Sequence, residues 1–188
     1  MARSRIALGG EGGQGVQAIA KILVEAAYLE NKNVIYIPNF GIEQRGGVSI
    51  AFSQISDDPI GEAKFAKGDI VIMLSDRALE RCAQYVDPDK SIVIYDTSVC
   101  ETKPTFKAKD IIGIPATKMA LEDLSPRVFN MIILGVIVKA TGIIQVDSCK
   151  KAIEDAFGSK FKDKPELREL NFKALEEGMN LIKSPAQV

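Results

Sequence analysis

The stretch Gly9-Gly-Glu-Gly-Gly-Gln-Gly15 decides the fold through what stands on either side of it. Residues 5–8, Arg-Ile-Ala-Leu, read as a short strand. From residue 16 the apolar side chains Val16, Ile19, Ala20, Leu23, Ala26 and Ala27 recur at helical spacing, over a helix predicted for residues 16–28. Asn31-Lys-Asn33 ends that helix, and Val34-Ile-Tyr-Ile37 follows as a second strand. Strand, glycine turn, helix and strand in this order open a parallel α/β fold.

Further along, residues 48–55 alternate in a mixed way that suits an extra strand or hairpin near a sheet edge, and Ser56-Asp-Asp-Pro59 is a turn. Asp69-Ile-Val-Ile-Met-Leu74 is a nearly continuous apolar strand for a sheet covered on both faces. Ser75 or Asp76 can cap the helix behind it. Residues 91–95 and 111–114 give two more strands. The remainder is helical: residues 115–124, the strongly apolar 126–141 closed by Gly142, a helix through Ala156 that Asp147 can cap, and 165–183. The expected architecture is a Rossmann-like three-layer α/β domain with a mostly parallel sheet, an added antiparallel hairpin or edge strand, and a helical part from about residue 115. One domain over residues 1–188 is expected, because a chain of this length buries one sizeable core.

Composition removes several functions. With 24 basic and 25 acidic residues the net charge is −1, and no basic cluster offers a footprint for nucleic acid or an anionic membrane. Cys82, Cys100 and Cys149 stand far apart, which suits reduced, buried thiols in a cytoplasmic protein and supplies no cluster ligand set. The apolar run Met131–Val138 is far shorter than the roughly 20 residues a membrane span needs. The run behind Met1-Ala-Arg-Ser-Arg5 is too short for a secretory signal core. No histidine is present, so the commonest general acid and base is missing.

Two loops carry candidate chemistry. Gly10, Gly12 and Gly15 satisfy G-x-G-x-x-G between a strand and a helix. Glycine permits positive φ and close approach of backbone N–H groups, and the helix start adds a partial positive charge, so an anion is the natural guest of Gly12, Gly13, Gln14 and Gly15. A tight turn needs glycine even when it binds nothing, and that reading stands beside the first. A nicotinamide dinucleotide fits poorly, since the second strand ends Tyr36-Ile-Pro-Asn-Phe40 without the acid that holds ribose, and Glu11 would repel a pyrophosphate. No Gly-Lys-Ser/Thr follows, which excludes a P-loop. The second loop, Asn39-Phe-Gly-Ile-Glu-Gln-Arg-Gly-Gly47, follows the carboxyl end of the second strand, so both loops should share one rim. Its Arg45 can hold a phosphate or carboxylate or make an intersubunit ion pair, with Glu43, Gly46 and Gly47 around it.

Together these segments resemble the gamma subunit of 2-oxoacid:ferredoxin oxidoreductases. The resemblance rests on Gly12-Gly-Gln-Gly-Val16, Ala20-Lys-Ile-Leu23, the segment Pro38 to Gly47 of the type Pro-x-(Tyr/Phe)-Gly-x-Glu-x-Arg-Gly-Gly, and Ile55-Ser-Asp-Asp-Pro-Ile60. It implies a cytoplasmic multi-subunit enzyme that converts pyruvate, 2-oxoglutarate or a related oxoacid with coenzyme A to acyl-CoA, carbon dioxide and reduced ferredoxin. Thiamine diphosphate, Mg²⁺ and iron–sulfur clusters are then expected on alpha and beta subunits, with a ferredoxin-like delta subunit as a further partner. No Gly-Asp-Gly with a following Asn is present here to anchor thiamine diphosphate, so this chain is expected to be inactive alone. Its expected share is structural and electrostatic: Gly10, Gly12, Gly13, Gln14 and Gly15, with Glu43, Arg45, Gly46 and Gly47 opposite, help hold coenzyme A at a subunit interface. The same loops can instead close over the thiamine site or contact a partner. The separate short chain leans toward 2-oxoglutarate or a broad oxoacid range. A free-standing Rossmann-like nucleotide-binding protein and a purely architectural module are the alternatives.

Overall fold

A computed structural model describes residues 3–40 and 47–183. Strands β1 (Ser4–Glu11), β2 (Asn33–Asn39), β3 (Val48–Ser56), β4 (Ile70–Met73), β5 (Ile92–Asp96) and β6 (Asp110–Ile114) form one sheet in the order β2-β3-β1-β4-β5-β6. β1, β4, β5 and β6 run parallel, whereas β3 pairs antiparallel with both β1 and β2. β2 therefore points the same way as β1, and β3 alone opposes the rest. The expected added hairpin is present as β2–β3, but its returning strand does not sit at the edge. It inserts between β2 and β1, pairing Ala7 with Phe52 and Phe52 with Ile37. The burial of β3 explains this: Ile50, Ala51, Ser53, Gln54, Ile55 and Ser56 are all shielded from solvent, as a strand with neighbours on both sides requires.

Side chains alternate across the sheet and so divide between two cores. Ile6, Leu8, Ile70, Ile72, Leu74, Ile92 and Ile94 face one layer, and Ala7, Val71, Met73, Val93 and Tyr95 face the other. The first layer is thick, holding α1 (Val16–Leu29), α3 (Ala116–Asp123), α4 (Phe129–Thr141), α5 (Val146–Asp163) and α6 (Pro165–Asn180). The second is thin, with α2 (Asp76–Cys82) and the segments carrying Phe65, Tyr85, Val86, Cys100 and Phe106.

Local chemistry sets the helix ends. α1 stops in a Schellman arrangement, with Asn31 at φ 60 and the Lys32 and Asn31 N–H groups donating to Ala27 and Tyr28 carbonyls. Gly142, at φ 60, closes α4 as expected. A single turn of 3₁₀ helix, Pro126–Val128, precedes α4. Ser75 rather than Asp76 caps α2, its Oγ accepting from Ala78 N–H at 3.2 Å. Asp147 does not cap α5: it lies inside the first turn, and the cap position is Gln145, whose N–H donates to the Glu30 carboxylate at 2.6 Å. A residue at the end of α1 thus satisfies the N–H of the cap residue from across the layer, the part that the third residue of a capping box plays.

α4 is the hub of the thick layer. Its ten buried residues leave no polar stripe, and it packs against α6 through two glycines. A Cβ on Gly135 would fall inside contact distance of the Leu175 carbonyl oxygen, and one on Gly178 would do the same to the Ile132 carbonyl oxygen. Only glycine permits this backbone approach.

Candidate functional site

The strands that share β1's direction end on one rim. The chain leaves β1 for α1 on the thick side and leaves β4 for α2 on the thin side, so the ends of β1 and β4 form the topological switch point where open α/β sheets take ligands. The glycine segment lies there. Its first part is not a turn: Gly9, Gly10 and Glu11 belong to β1 and pair with Ile50, Ser49 and Val48 of β3. Glycine is needed at those positions because neighbours fill the side-chain space. A Cβ on Gly9 would collide with the Cys82 sulfur, and one on Gly10 would come within 2.7 Å of Gln14 Oε1 and 2.8 Å of Val16 Cγ2.

The turn proper is residues 12–15. Gly12 and Gly13 are exposed, with nothing within 4 Å of either Cβ position, and Gly13 has φ +96. Gly15, at φ +73, is the left-handed entry to α1. Among the described residues no side chain caps α1 or accepts from the amides of its first turn. Exposed backbone, open space and an uncapped helix start form a cradle suited to an anion.

Gln14 behaves differently from its glycine neighbours. Its Oε1 accepts from Glu11 N–H at 2.7 Å, and its Nε2 donates to the Leu74 carbonyl at 2.7 Å. The amide thus spans the gap between the ends of β1 and β4 and fills the crevice beneath the turn. A ligand on this turn would lie above Gly12 and Gly13 rather than between the strands.

Of the second loop, Glu43, Arg45 and Gly46 lie outside the described residues. Gly47 is described and half-buried; the Val48 beside it pairs with Glu11, which brings the base of this loop to the glycine turn on the same rim, as the strand order of the sequence predicts. Phe40, at the other base, is 69% exposed.

Several roles here carried no sequence signal. Asp96, at the end of β5, is wholly buried; its carboxylate accepts from Ser98 N–H at 2.9 Å, Thr117 N–H at 2.9 Å and the Thr117 hydroxyl at 2.6 Å, so it caps α3. Asp76 accepts from Glu101 N–H and from Thr102, and the Glu101 N–H above all holds its carboxyl below the ordinary range. These acids are occupied by protein donors and do not present free charge to the rim. On the thin face, Phe52 meets Phe65 and Tyr85 edge-on at 5.6 and 5.0 Å between ring centres. These rings, with Ile37, Pro38, Asn39 and Lys64, line a pocket of about 370 Å³. Buried Gln54 holds its wall, donating to the Glu62 and Ala63 carbonyls at 2.9 and 2.8 Å.

Among the described residues no group of three His, Cys, Asp or Glu side chains is placed to hold a metal, and no helix is long and apolar enough to cross a membrane. The three thiols are buried. Burial pushes Cys82 and Cys149 up to about 12, and burial together with the Asp76 and Asp96 carboxylates pushes Cys100 up to about 11.

Comparison with known proteins agrees with this architecture. The sequence model described as pyruvate ferredoxin/flavodoxin oxidoreductase matches residues 5–181. The pyruvate/ketoisovalerate oxidoreductases common subunit gamma of Pyrococcus furiosus is 36% identical over 161 residues, which cover 82% of this chain and 87% of that protein. The 2-oxoglutarate synthase subunit KorC of Methanocaldococcus jannaschii is 33% identical over 156 residues, covering 82% of this chain and 83% of that one. In fold, the keto/oxoacid ferredoxin oxidoreductase gamma subunit of Geobacter sulfurreducens superposes with a TM-score of 0.80 at 24% identity, over 96% of each chain. A 2-oxoglutarate:ferredoxin oxidoreductase from Magnetococcus marinus, solved with 2-oxoglutarate, coenzyme A and succinyl-CoA, gives a TM-score of 0.87 at 22% identity. That match takes in 100% of this chain and 33% of the larger one. The chain therefore belongs to the pyruvate ferredoxin/flavodoxin oxidoreductase family and is of its gamma-subunit type.

Proposed function

We propose that this protein serves in a cytoplasmic 2-oxoacid:ferredoxin oxidoreductase by presenting the glycine turn to coenzyme A, at an interface with the subunits that carry thiamine diphosphate, Mg²⁺ and iron–sulfur clusters. The observation that carries this reading is the turn itself: exposed Gly12 and Gly13, left-handed Gly15 and an uncapped α1, set at the switch point of the sheet. Coenzyme A is an anion by virtue of its phosphates and is the acyl acceptor of the reaction. The N–H groups of Gly12, Gly13, Gly15 and Val16 would hold a phosphate or the carbonyls of the pantetheine arm, the Gln14 N–H being donated to the Glu11 carbonyl at 3.2 Å, and Arg45 would supply the countercharge. Gln14 would act from below by fixing the turn. This chain offers no imidazole, and its thiols stay protonated at neutral pH, so neither is available here as a base.

The oxoacid would be read by the partners. Relatives named for pyruvate and ketoisovalerate, and another named for 2-oxoglutarate, resemble this chain to similar degrees, 36% and 33%. Calorimetric titration of coenzyme A into the assembled enzyme tests the reading. Gly13→Glu puts a carboxylate on the cradle, and Arg45→Ala removes the countercharge; each should weaken binding by about tenfold or more, since about 1.4 kcal/mol is a factor of ten. Unchanged affinity in both variants would sink it. A rival reading, in which the rim binds only a partner subunit, draws on the exposure of Phe40 beside the second loop. It predicts loss of assembly in Phe40→Ser with coenzyme A affinity preserved in whatever complex remains.

A further inference from the structure

Among the described residues α1 begins without a side-chain cap, and its first residues follow a left-handed glycine, so its N-cap residue does not fix the direction of its first amides. Two glutamines, Gln14 before the helix and Gln17 in its first turn, do this from opposite sides. Gln14 ties the turn to β4, as described. Gln17 reaches the other way: Tyr36 Oη donates to Gln17 Oε1 at 2.5 Å, and Gln17 Nε2 donates to Ser49 Oγ at 2.7 Å and to the Ile50 carbonyl at 3.2 Å. Tyr36 stands on β2, whereas Ser49 and Ile50 open β3 and pair with Gly10 and Gly9. The Gln17 amide therefore spends its oxygen and both nitrogen hydrogens on the hairpin, and the start of α1 is fastened to the same strands that carry the second loop. Burial raises the Tyr36 hydroxyl above its ordinary range, which keeps it a donor.

We propose that Gln17, acting with Tyr36 and Ser49, is a positioning residue of the anion-binding turn. It touches no ligand, and it sets the angle at which the amides of Gly12, Gly13, Gly15 and Val16 meet one by holding the helix start against the β2–β3 hairpin. This rests on the coenzyme A reading above. Helix formation does not require the network, since an apolar side chain of similar volume would fill the half-buried site. What the network adds is orientation, and orientation is what a cradle made only of backbone groups depends on.

The test is steady-state kinetics of the assembled enzyme. Gln17→Met keeps the volume and removes every bond; the KM for coenzyme A should rise about tenfold, while turnover at saturating coenzyme A and the KM for the oxoacid stay within twofold. Tyr36→Phe removes one bond and should give about a threefold rise. The double variant should match Gln17→Met alone, because both act through one chain of hydrogen bonds. An unchanged KM for coenzyme A in Gln17→Met overturns the proposal, as does an equal change in all three parameters, which would mark a general loss of structure. Gly13→Glu in the same assay separates the two layers of inference. If it raises that KM and Gln17→Met does not, only the positioning role fails. If Gly13→Glu also leaves it unchanged, the coenzyme A reading falls and takes this one with it.

Discussion

Gly178→Ala sets two opposed forces against each other, and their magnitudes decide the sign. Gly178 lies inside α6, where alanine is the better helix former by about 1 kcal/mol. Propensity alone therefore predicts a stabilised protein. Packing predicts the reverse, since the new methyl would stand within contact distance of the Ile132 carbonyl oxygen, carbon and Cα, all of them backbone. A flexible side chain could swing away, whereas a helix backbone cannot. α4 would have to move as a unit, and its side chains Met131, Ile132, Ile133, Leu134, Val136 and Ile137 are held on every side. Overpacking of this kind costs about 3 kcal/mol, the upper part of the usual span, leaving a net loss of about 2 kcal/mol after the propensity gain. For a chain of this size that lowers Tm by about 4–8 °C. Urea denaturation followed by circular dichroism measures the free energy, and Gly158→Ala in α5 is the control. Its Cβ position is open, so it should gain about 0.5–1 kcal/mol. A Gly178→Ala protein as stable as its parent, or more so, would refute the argument that the α4–α6 crossing requires glycine.

Other outcomes follow from single contacts. Gly15→Ala forces a side chain into φ +73 with its Cβ 3.0 Å from Asn130 Cβ, and should cost about 1–2 kcal/mol in the same urea measurement. At Glu30, burial raises the carboxyl, but the Gln145 N–H, the Ser148 hydroxyl and Lys32 outweigh it and hold it below its ordinary 4.5. Because the folded value is the lower one, this contribution is complete above about pH 4.5 and is lost as pH falls through the folded value; Glu30→Gln should cost about 1 kcal/mol at pH 7 and flatten stability against pH in that acid window. The native thiols, held at about 11 to 12 and buried, should resist alkylation at pH 8 and react fully after denaturation, a difference read by mass spectrometry.

The fold was legible where the hydrophobic pattern is periodic and local. Residues 69–74 read as a central strand because Ile70, Val71, Ile72 and Met73 are apolar without a break, and α1 showed its face at helical spacing. The insertion of β3 between β2 and β1 was not legible, because pairing order is a long-range choice that the alternation of residues 48–55 does not encode. Caps supplied from a distance, Glu30 for α5 and Asp96 for α3, leave no sequence signal beyond an ordinary acid. Gly135 and Gly178 were hidden among good helix formers, since only the crossing of the helices gives them a purpose. At the site, the motif marked the turn at residues 12–15, but its first glycines belong to β1, and it said nothing about the side chains that brace the turn. Gln14 was expected among the residues that hold a ligand, and the motif gave no sign that its side-chain amide is spent on Glu11 and Leu74. Gln17, Tyr36 and Ser49 lie on three different elements, so only the folded chain shows that they meet.

The claim at the centre of this account is that the free amides of the glycine turn are where coenzyme A touches this subunit. The N–H groups of Gly12, Gly13, Gly15 and Val16 precede the helical ladder and should exchange quickly in the ligand-free complex, whereas those of Glu11 and Gln14 donate to Gln14 Oε1 and the Glu11 carbonyl. Hydrogen–deuterium exchange of the assembled enzyme, with and without saturating coenzyme A, reads them directly in peptides covering residues 11–18. Exchange there should slow clearly when coenzyme A binds, and should not slow in Gly13→Glu. Unchanged exchange across residues 11–18 while other segments of the complex become protected would contradict it.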